Sequence, residues 1–368
     1  MATNLATPGV YIEEKNAFPN SVAGIPTSVP AFIGYTQYTR RDGRSLINKP
    51  VRISSLNDYV KIFGQGTKTK YSLVPSDSAD ETVLNAGGKD YKLIPEQSSR
   101  FLLFDSIRLF FANGGSTCYI VSVGGYEKEG PSSPTPQKDD KSGKNVPANE
   151  KNDSAEPNKI SKKALMEGIQ ALVMEQEPTM LVIPESVMLD EGDCFSVQQE
   201  MLTHCGFKMK SRFALLDVFN GNAKRTYDKN DVINRFREGI GLNHLAYGAA
   251  YYPWVHSTVV DKEEIDLSNI ANISTLEEVL SKEVEETVDN AKKAEEIKNE
   301  IKKISQKDTD IEKATQMLAV VSPGFNKLMA GIRTHLNILP PAAGMAGVYC
   351  VVDDARGIWK APANVSVN

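Results

Sequence analysis

Apolar residues along this chain come in short runs separated by longer stretches with helical periodicity. The segments 29–34, 51–53, 117–123, 179–183, 213–218 and 247–255 are rich in β-branched and aromatic residues, and each reads as a strand. The run 117–123, TCYIVSV, is apolar on both faces, as in strands buried between layers. Between these runs lie predicted helices. One follows Ser55, with Asp58 three residues on, and stops at Gly64. Another spans 100–112, from Ser98 and Ser99 to the stop Asn113-Gly114-Gly115. Further helices are expected at 161–176, at 191–205 ending at Gly206, and at 231–239. Ser322 and Pro323 look like an N-cap and first helical residue of a run to Leu336, which Pro340-Pro341 breaks. The near-continuous apolar run 342–352 is rich in small residues and should be packed on all sides. Strands alternating with helices predict an α/β fold, a mostly parallel sheet flanked by helices.

The polar stretches divide this pattern. Residues 1–20 read as an extended arm: Pro8-Gly9 turns, Val10, Tyr11 and Ile12 form a strand, and Glu13-Glu14 end it. A strand this short needs a sheet edge, its own or a neighbour's. The first part of the α/β body then covers 21–124, with 65–98 as a turn-rich surface excursion. The stretch 125–160 is Pro, Ser, Lys, Asp and Asn with almost no large apolar side chain. It reads as a mobile loop, since it cannot bury enough surface to offset its chain entropy. The second part of the body covers 161–260. A charged helical segment, 261–321, follows, with Ser274-Thr275-Leu276-Glu277 opening a helix. Leu280, Val284, Val288, Ala294, Ile297, Ile301, Ile304 and Ile311 form a narrow apolar seam on a charged rod, which 306–310 would fold into a hairpin. That face is either solvated surface or a handle for a neighbour. Residues 322–368 complete the chain.

Composition narrows the function. Forty per cent hydrophobic residues can support a large core, and a net charge of -5 argues against a dedicated nucleic-acid binder. No signal-peptide pattern opens the sequence, and no stretch reaches the roughly 20 apolar residues of a membrane helix. The cysteines at 118, 194, 205 and 350 lack zinc-site or CxxC spacing; Cys118 and Cys350 sit in apolar runs as small buried hydrophobes, consistent with a reducing cytoplasm.

Candidate chemistry is sparse. His204, His244, His256 and His335 are scattered over different elements, and His204-Cys205 lacks further local metal ligands. There is no phosphate loop, because Gly87-Gly88-Lys89 fails the spacing, and no G-x-S-x-G elbow. Ligands of such folds bind at the carboxyl ends of strands, here marked by Gly124, Pro184, Asp217 and Trp254. These hold no acid–base pair, and Asp217 reads as a turn-capping residue. No catalytic residue, cofactor site or metal site is expected.

Two terminal motifs carry a resemblance. Thr7-Pro8-Gly9-Val10-Tyr11-Ile12-Glu13-Glu14 opens the chain, and PPAAGMAGVYCVVDDARGIWKAPAN, ending at Asn364, nearly closes it. Between them lie FFANGGSTCYIVSVG, EPTMLVIPE, RFALLDV and YGAAYYPWV. The set resembles the contractile tail sheath protein family of phage tails and bacterial contractile injection systems, over most of the chain outside the polar insertions. The resemblance implies that Pro8, Gly9, Val10, Tyr11, Ile12 and Glu13 form an inter-subunit strand. It makes Asp354, Arg356, Gly357, Trp359, Lys360 and Pro362 a structural motif. From the residues themselves, Arg356 would pair with a carboxylate, Gly357 would allow a turn, and Trp359 would be buried as a large apolar anchor.

The implied function is a homopolymeric sheath of stacked rings around an inner tube protein, meeting baseplate and terminator or cap proteins. It would assemble in the bacterial cytoplasm and work in a phage virion or an extracellular phage tail-like particle. Neither nucleic acid nor direct membrane insertion is expected. The resemblance also implies that such chains continue past W-K-A-P-A-N into a region facing the tube. Without that region to receive the arm, the 368-residue chain is expected to be mostly monomeric. The other readings are a baseplate or adaptor protein on the same fold, and an α/β enzyme with an unrecognised site.

Overall fold

The computed structural model describes residues 27–77, 82–127, 159–288, 290–305 and 310–367. The arm residues Pro8, Gly9, Val10, Tyr11, Ile12 and Glu13, nearly all of the polar stretch 125–160, and most of the turn expected at 306–310 lie outside the described residues. Along the chain, β1 (Pro30–Thr36) is followed by a small hairpin, β2 (Arg40–Arg41) and β3 (Arg44–Ser45), then β4 (Val51–Ile53) and α1 (Leu56–Phe63). Next come β5 (Tyr71–Pro75), β6 (Leu84–Ala86), β7 (Lys89–Pro95), α2 (Leu103–Ala112) and β8 (Cys118–Gly125). The middle of the chain holds α3 (Lys162–Ala171), β9 (Met180–Val182), α4 (Glu191–Thr203), β10 (Phe213–Asp217), α5 (Val232–Ile240), β11 (Gly248–Tyr251) and β12 (Val255–His256). Last are α6 (Ile273–Thr287), α7 (Ala291–Lys302), α8 (Ile311–Val321), α9 (Pro323–Leu336), β13 (Ile338–Leu339) and α10 (Ala342–Arg356).

The central sheet has the order β11-β10-β9-β1-β8-β4. Its neighbours are parallel except β4, which runs antiparallel to β8. Successive side chains of β1 go to opposite faces, as the pleat requires. Ala31, Ile33 and Tyr35 join the core formed with α3, α4 and α5, while Phe32 joins the one formed with α1, α2 and α10. This is the three-layer α/β arrangement that the alternation predicts. Ser55 accepts the Asp58 N–H, and Gly64 closes α1. Ser322 accepts the Phe325 N–H at the start of α9. All four cysteines are free and buried.

Helix α10 is the apolar run expected to be packed on all sides; Ala342, Ala343, Ala346 and Cys350 are buried in the core on the α2 side of the sheet, whereas Met345 and Tyr349 are half-buried and Val351 is exposed. Small residues make this possible. A Cβ at Gly347 would lie 2.5 Å from the Phe110 carbonyl oxygen and 3.0 Å from that of Asn113, so the two helix backbones touch where only hydrogen fits.

A second unit departs from the sequence reading. Residues 65–98 are not a surface excursion: β5, β7 and β6 form an antiparallel sheet. Tyr71, Leu73, Leu84, Ala86, Tyr91 and Leu93 point from it into a core shared with α6–α9. The alternation of period two is there, but its outward polar half makes the stretch look loop-like.

The charged segment is not a rod. Leu280, Val284, Ala294, Ile301 and Ile304 are buried in this second core, Val288 and Ile297 pack against it, and Ile311 is exposed. The chain breaks at Asn290, whose side chain accepts the N–H groups of Lys292 and Lys293 and starts α7. Each helix keeps one buried face, so the heptad-like spacing continues across the break. Helix α4 also differs. It runs into a π-helical turn, His204–Met209, which ends at Lys210 with φ +58 rather than at Gly206.

Candidate functional site

The carboxyl ends of the parallel strands hold two buried carboxyl groups, and both cap other elements. Asp217, at the end of β10, accepts the Ala342 N–H at 2.8 Å and so satisfies one N–H of the first turn of α10, which packs on the same face of the sheet. Burial pushes its carboxyl up to about 7, with the Ala342 N–H acting in the opposite direction. The role is structural, as expected for Asp217, but the element it caps is the distant α10 and not the turn that follows β10. Glu185, after β9, accepts the Tyr35 N–H at 2.9 Å and the Leu103 N–H at 3.3 Å, tying β1 to the start of α2. Burial pushes it up to about 8, again against the backbone N–H groups. Gly34 makes room, since a Cβ there would sit 2.9 Å from the Glu185 carboxylate. The sequence reading missed Glu185; its one signal is a charged residue directly after an apolar strand and Pro184.

The histidines stay apart. His204 is buried with Nε2 2.8 Å from Arg212 Nη1. Burial, then the Arg212 charge, lowers it to about 4, so it is a neutral acceptor at pH 7. Arg212 itself donates to the carbonyls of Leu172 and Pro178, pinning the loop before β9. His335 stacks beside Tyr71, His244 lies beside Phe207, and His256 is exposed on β12. A cavity of about 930 Å³ beside α3 is lined by Ile160, Met166, Met188 and Leu189 and edged by the Lys162–Asp193 ion pair. Its described lining holds no histidine or cysteine. Among the described residues no group of three His, Cys, Asp or Glu is placed to hold a metal ion, and no helix is long and apolar enough to cross a membrane.

What the structure does assemble is a corner at the end of α10. Thr27 donates to Asp353 Oδ2 at 2.8 Å, Ser28 donates to the same oxygen, and Cys350 Sγ donates to the Ser28 carbonyl at 3.2 Å. The point where residues 1–26 join the body is thus bonded to the last turns of α10. Gly357 ends that helix with φ +84, as the turn requires. Two expectations fail here. Arg356 is exposed with no carboxylate partner among the described residues. Trp359 is not a core anchor: it is 85% exposed, with Ile358 68% exposed beside it. The indole lies over Gly357, whose added Cβ would come within 2.4 Å of the ring. The Lys360 ammonium donates to the neighbouring Ala361 carbonyl, and Pro362 is half-buried. The tail then returns along α10, with Val367 near Gly344.

No family model matches the chain, and no curated protein does. Among solved structures it is similar to a chain of the anti-feeding prophage (AFP) baseplate, six-fold symmetrised, with 21% identity and a TM-score of 0.38 over 99% of this chain and 57% of that one. It is also similar to a chain of an extracellular contractile injection system, the PVC sheath complex in contracted state, with 19% identity and a TM-score of 0.38 over 100% and 56%. A chain of the AFP baseplate in contracted state gives 16% identity and a TM-score of 0.42 over 99% and 59%. The present chain therefore spans between 56% and 59% of the length of the chains it matches.

Proposed function

We propose that this chain is a structural subunit of a contractile sheath, polymerising as stacked rings around an inner tube and shortening to drive that tube through a target envelope. One observation carries the reading. The segment Asp354-Ala355-Arg356-Gly357-Ile358-Trp359-Lys360, where the resemblance to sheath proteins is most specific, leaves its two largest apolar side chains outside the core. A tryptophan this exposed in its own subunit is available for a neighbour, and aromatic anchors dominate protein interfaces. The proposed partners are further copies, the inner tube protein, and baseplate and cap proteins, in a phage virion or an extracellular tail-like particle.

The mechanism is mechanical. The α/β body moves as a nearly rigid block, and its contacts with neighbours have two stable arrangements. The two buried carboxyl groups at the strand ends, Asp217 and Glu185, accept backbone N–H groups, which supports a structural role for both.

The test is where the protein sits. Labelled protein co-expressed with its neighbouring tube gene should decorate the whole shaft of the particles in electron micrographs. Label confined to one end would replace this reading with the baseplate or adaptor alternative. Failure to join any particle would remove both.

A further inference from the structure

Loops that join helices to parallel strands run over the surface, and three adjacent ones here each leave large apolar side chains in solvent. Helices α3, α4 and α5 lie on one face and lead into β9, β10 and β11, which are neighbours in the sheet. Met174 stands before β9, Phe207 before β10, and Leu242 and Leu245 before β11; the first three are between 66% and 88% exposed. The three loops touch. Arg212, just before β10, donates from Nη1 to the Leu172 carbonyl at 2.9 Å, which holds the second loop to the first. A Cβ at Gly206 would lie 2.7 Å from the His244 Cβ, and the rings of Phe207 and His244 are 6.3 Å apart, so the second loop lies on the third. The result is an apolar stripe across the amino ends of three strands. Apolar side chains gathered in this way on a surface mark a place where something binds.

Residues 1–26 join the body at one end of this stripe. The Thr179 N–H, at the foot of β9, donates to the Val29 carbonyl at 2.8 Å, and Pro30 stands opposite Met180. Thr27, the first described residue, is therefore next to the loop that carries Met174. From β1 to β11 is three strand spacings, about 14 Å in all. The nine steps from Phe18 to Thr27 can span up to about 30 Å, so the whole stripe lies within reach. The same segment carries what the stripe needs: Phe18, Val22 and Ile25, large apolar residues at spacings of four and three. Being tethered, it competes for the stripe at a high effective concentration.

We propose that residues 18–25 fold back within the same chain, with Ile25, Val22 and Phe18 covering Met174, Phe207 and Leu242 in that order. The order follows from the point of entry beside Met174. The contact is intramolecular, so it holds for a sheath or a baseplate subunit alike and does not depend on either reading. What it sets is direction: residues 8–13 are carried past β11, the edge of the sheet opposite β4, rather than released at Thr27.

Photo-crosslinking of the full chain tests it. With a benzophenone amino acid in place of Phe18, irradiation at dilute concentration should give a monomer-sized product linked to peptides holding Met174, Phe207 or Leu242. No links to these peptides, or links that form only between two chains, would overturn the proposal. Met174→Ser/Phe207→Ser/Leu242→Ser should lower the yield at least several-fold, and an unchanged yield would overturn it as well. If that variant is misfolded by circular dichroism, hydrogen exchange takes its place. Backbone amides of 241–247 should exchange several-fold faster in Phe18→Ser/Val22→Ser/Ile25→Ser than in wild type, and equal rates would remove the contact.

Discussion

Helix α10 and the tail that follows it, residues 357–367, are adjacent in sequence and end in opposite environments. The helix buries Ala342, Ala346 and Cys350 in the core, while the tail holds Ile358, Trp359 and Val365 out to solvent. Apolar character does not separate the two, since the tail carries the larger apolar side chains. Backbone and shape do. Helix α10 has its first turn capped by Asp217, its last turns bonded to Thr27, Ser28 and Gly357, and Gly347 allows it to sit directly on α2. Among the described residues the tail's backbone bonds are short-range, Lys360 N–H to the Gly357 carbonyl and Ala363 N–H to that of Ala361. A segment with this little internal bonding stays solvated unless a neighbour covers it, and a bare tryptophan is unusual on an isolated subunit.

The largest effect should come from the surface that receives α10. Phe110 is fully buried and meets the Phe32 ring edge-on at 5.2 Å. Phe110→Ala should cost about 3–5 kcal/mol in urea unfolding, as aromatic truncation in a core does. A loss under about 1 kcal/mol would mean that α10 is held by its caps rather than by packing.

Next is the cap. Asp217 is held at about 7 in the fold and near 3.8 in an exposed chain, so the folded state keeps its proton where the unfolded state has released it. Its contribution is complete below about 3.8 and is lost as pH rises through about 7, on the order of a few kcal/mol in all. Glu185 acts with the same sign up to about 8. Their joint contribution to wild-type stability should therefore fall between about pH 4 and 8. Asp217→Asn keeps an acceptor for Ala342 without a titrating proton, and should flatten the lower part of that fall. Equal slopes in both proteins would show that the Asp217 carboxyl is already ionised in the fold.

Gly347→Val tests the close approach itself. The new side chain would press on the Phe110 and Asn113 carbonyls, and overpacking of this kind costs about 1–3 kcal/mol. A melting temperature equal to wild type would mean that α10 can ride outward without loss.

The main sheet was legible because β1, β8, β9 and β10 are buried on both faces and read as nearly unbroken apolar runs, and because Ser55, Asn113-Gly114 and Ser322-Pro323 mark helix ends with local chemistry. The second unit was not. Strand β7 is half polar by design of its two faces, and the Val288–Asn290 break carries no glycine or proline to announce it. Site contacts were least visible, since Asp353 to Thr27 and Asp217 to Ala342 join positions 326 and 125 residues apart. No periodicity encodes such pairs. Trp359 was misplaced for a related reason: an aromatic residue states a preference for burial but not which molecule will bury it.

That last point gives the smallest effect on folding and the sharpest contrast with α10. A side chain 85% exposed has little packing to lose, so Trp359→Ala should leave unfolding within about 0.5 kcal/mol of wild type. Its ring does cover Gly357, but the turn there is set by φ +84 and the Asp353 carbonyl, neither of which needs the indole. The same substitution should reduce incorporation into assembled particles, because an exposed tryptophan that a neighbour buries is the kind of contact on which interface energy concentrates. Thermal melts and particle pull-down on one preparation separate the two readouts. Unchanged melting with lost incorporation assigns Trp359 to a neighbour. A loss of about 3 kcal/mol would instead return it to the core of its own subunit, as large aromatic truncations do there. Unchanged melting with full incorporation would leave the tail outside both the fold and the assembly, and would remove the observation on which the sheath proposal rests.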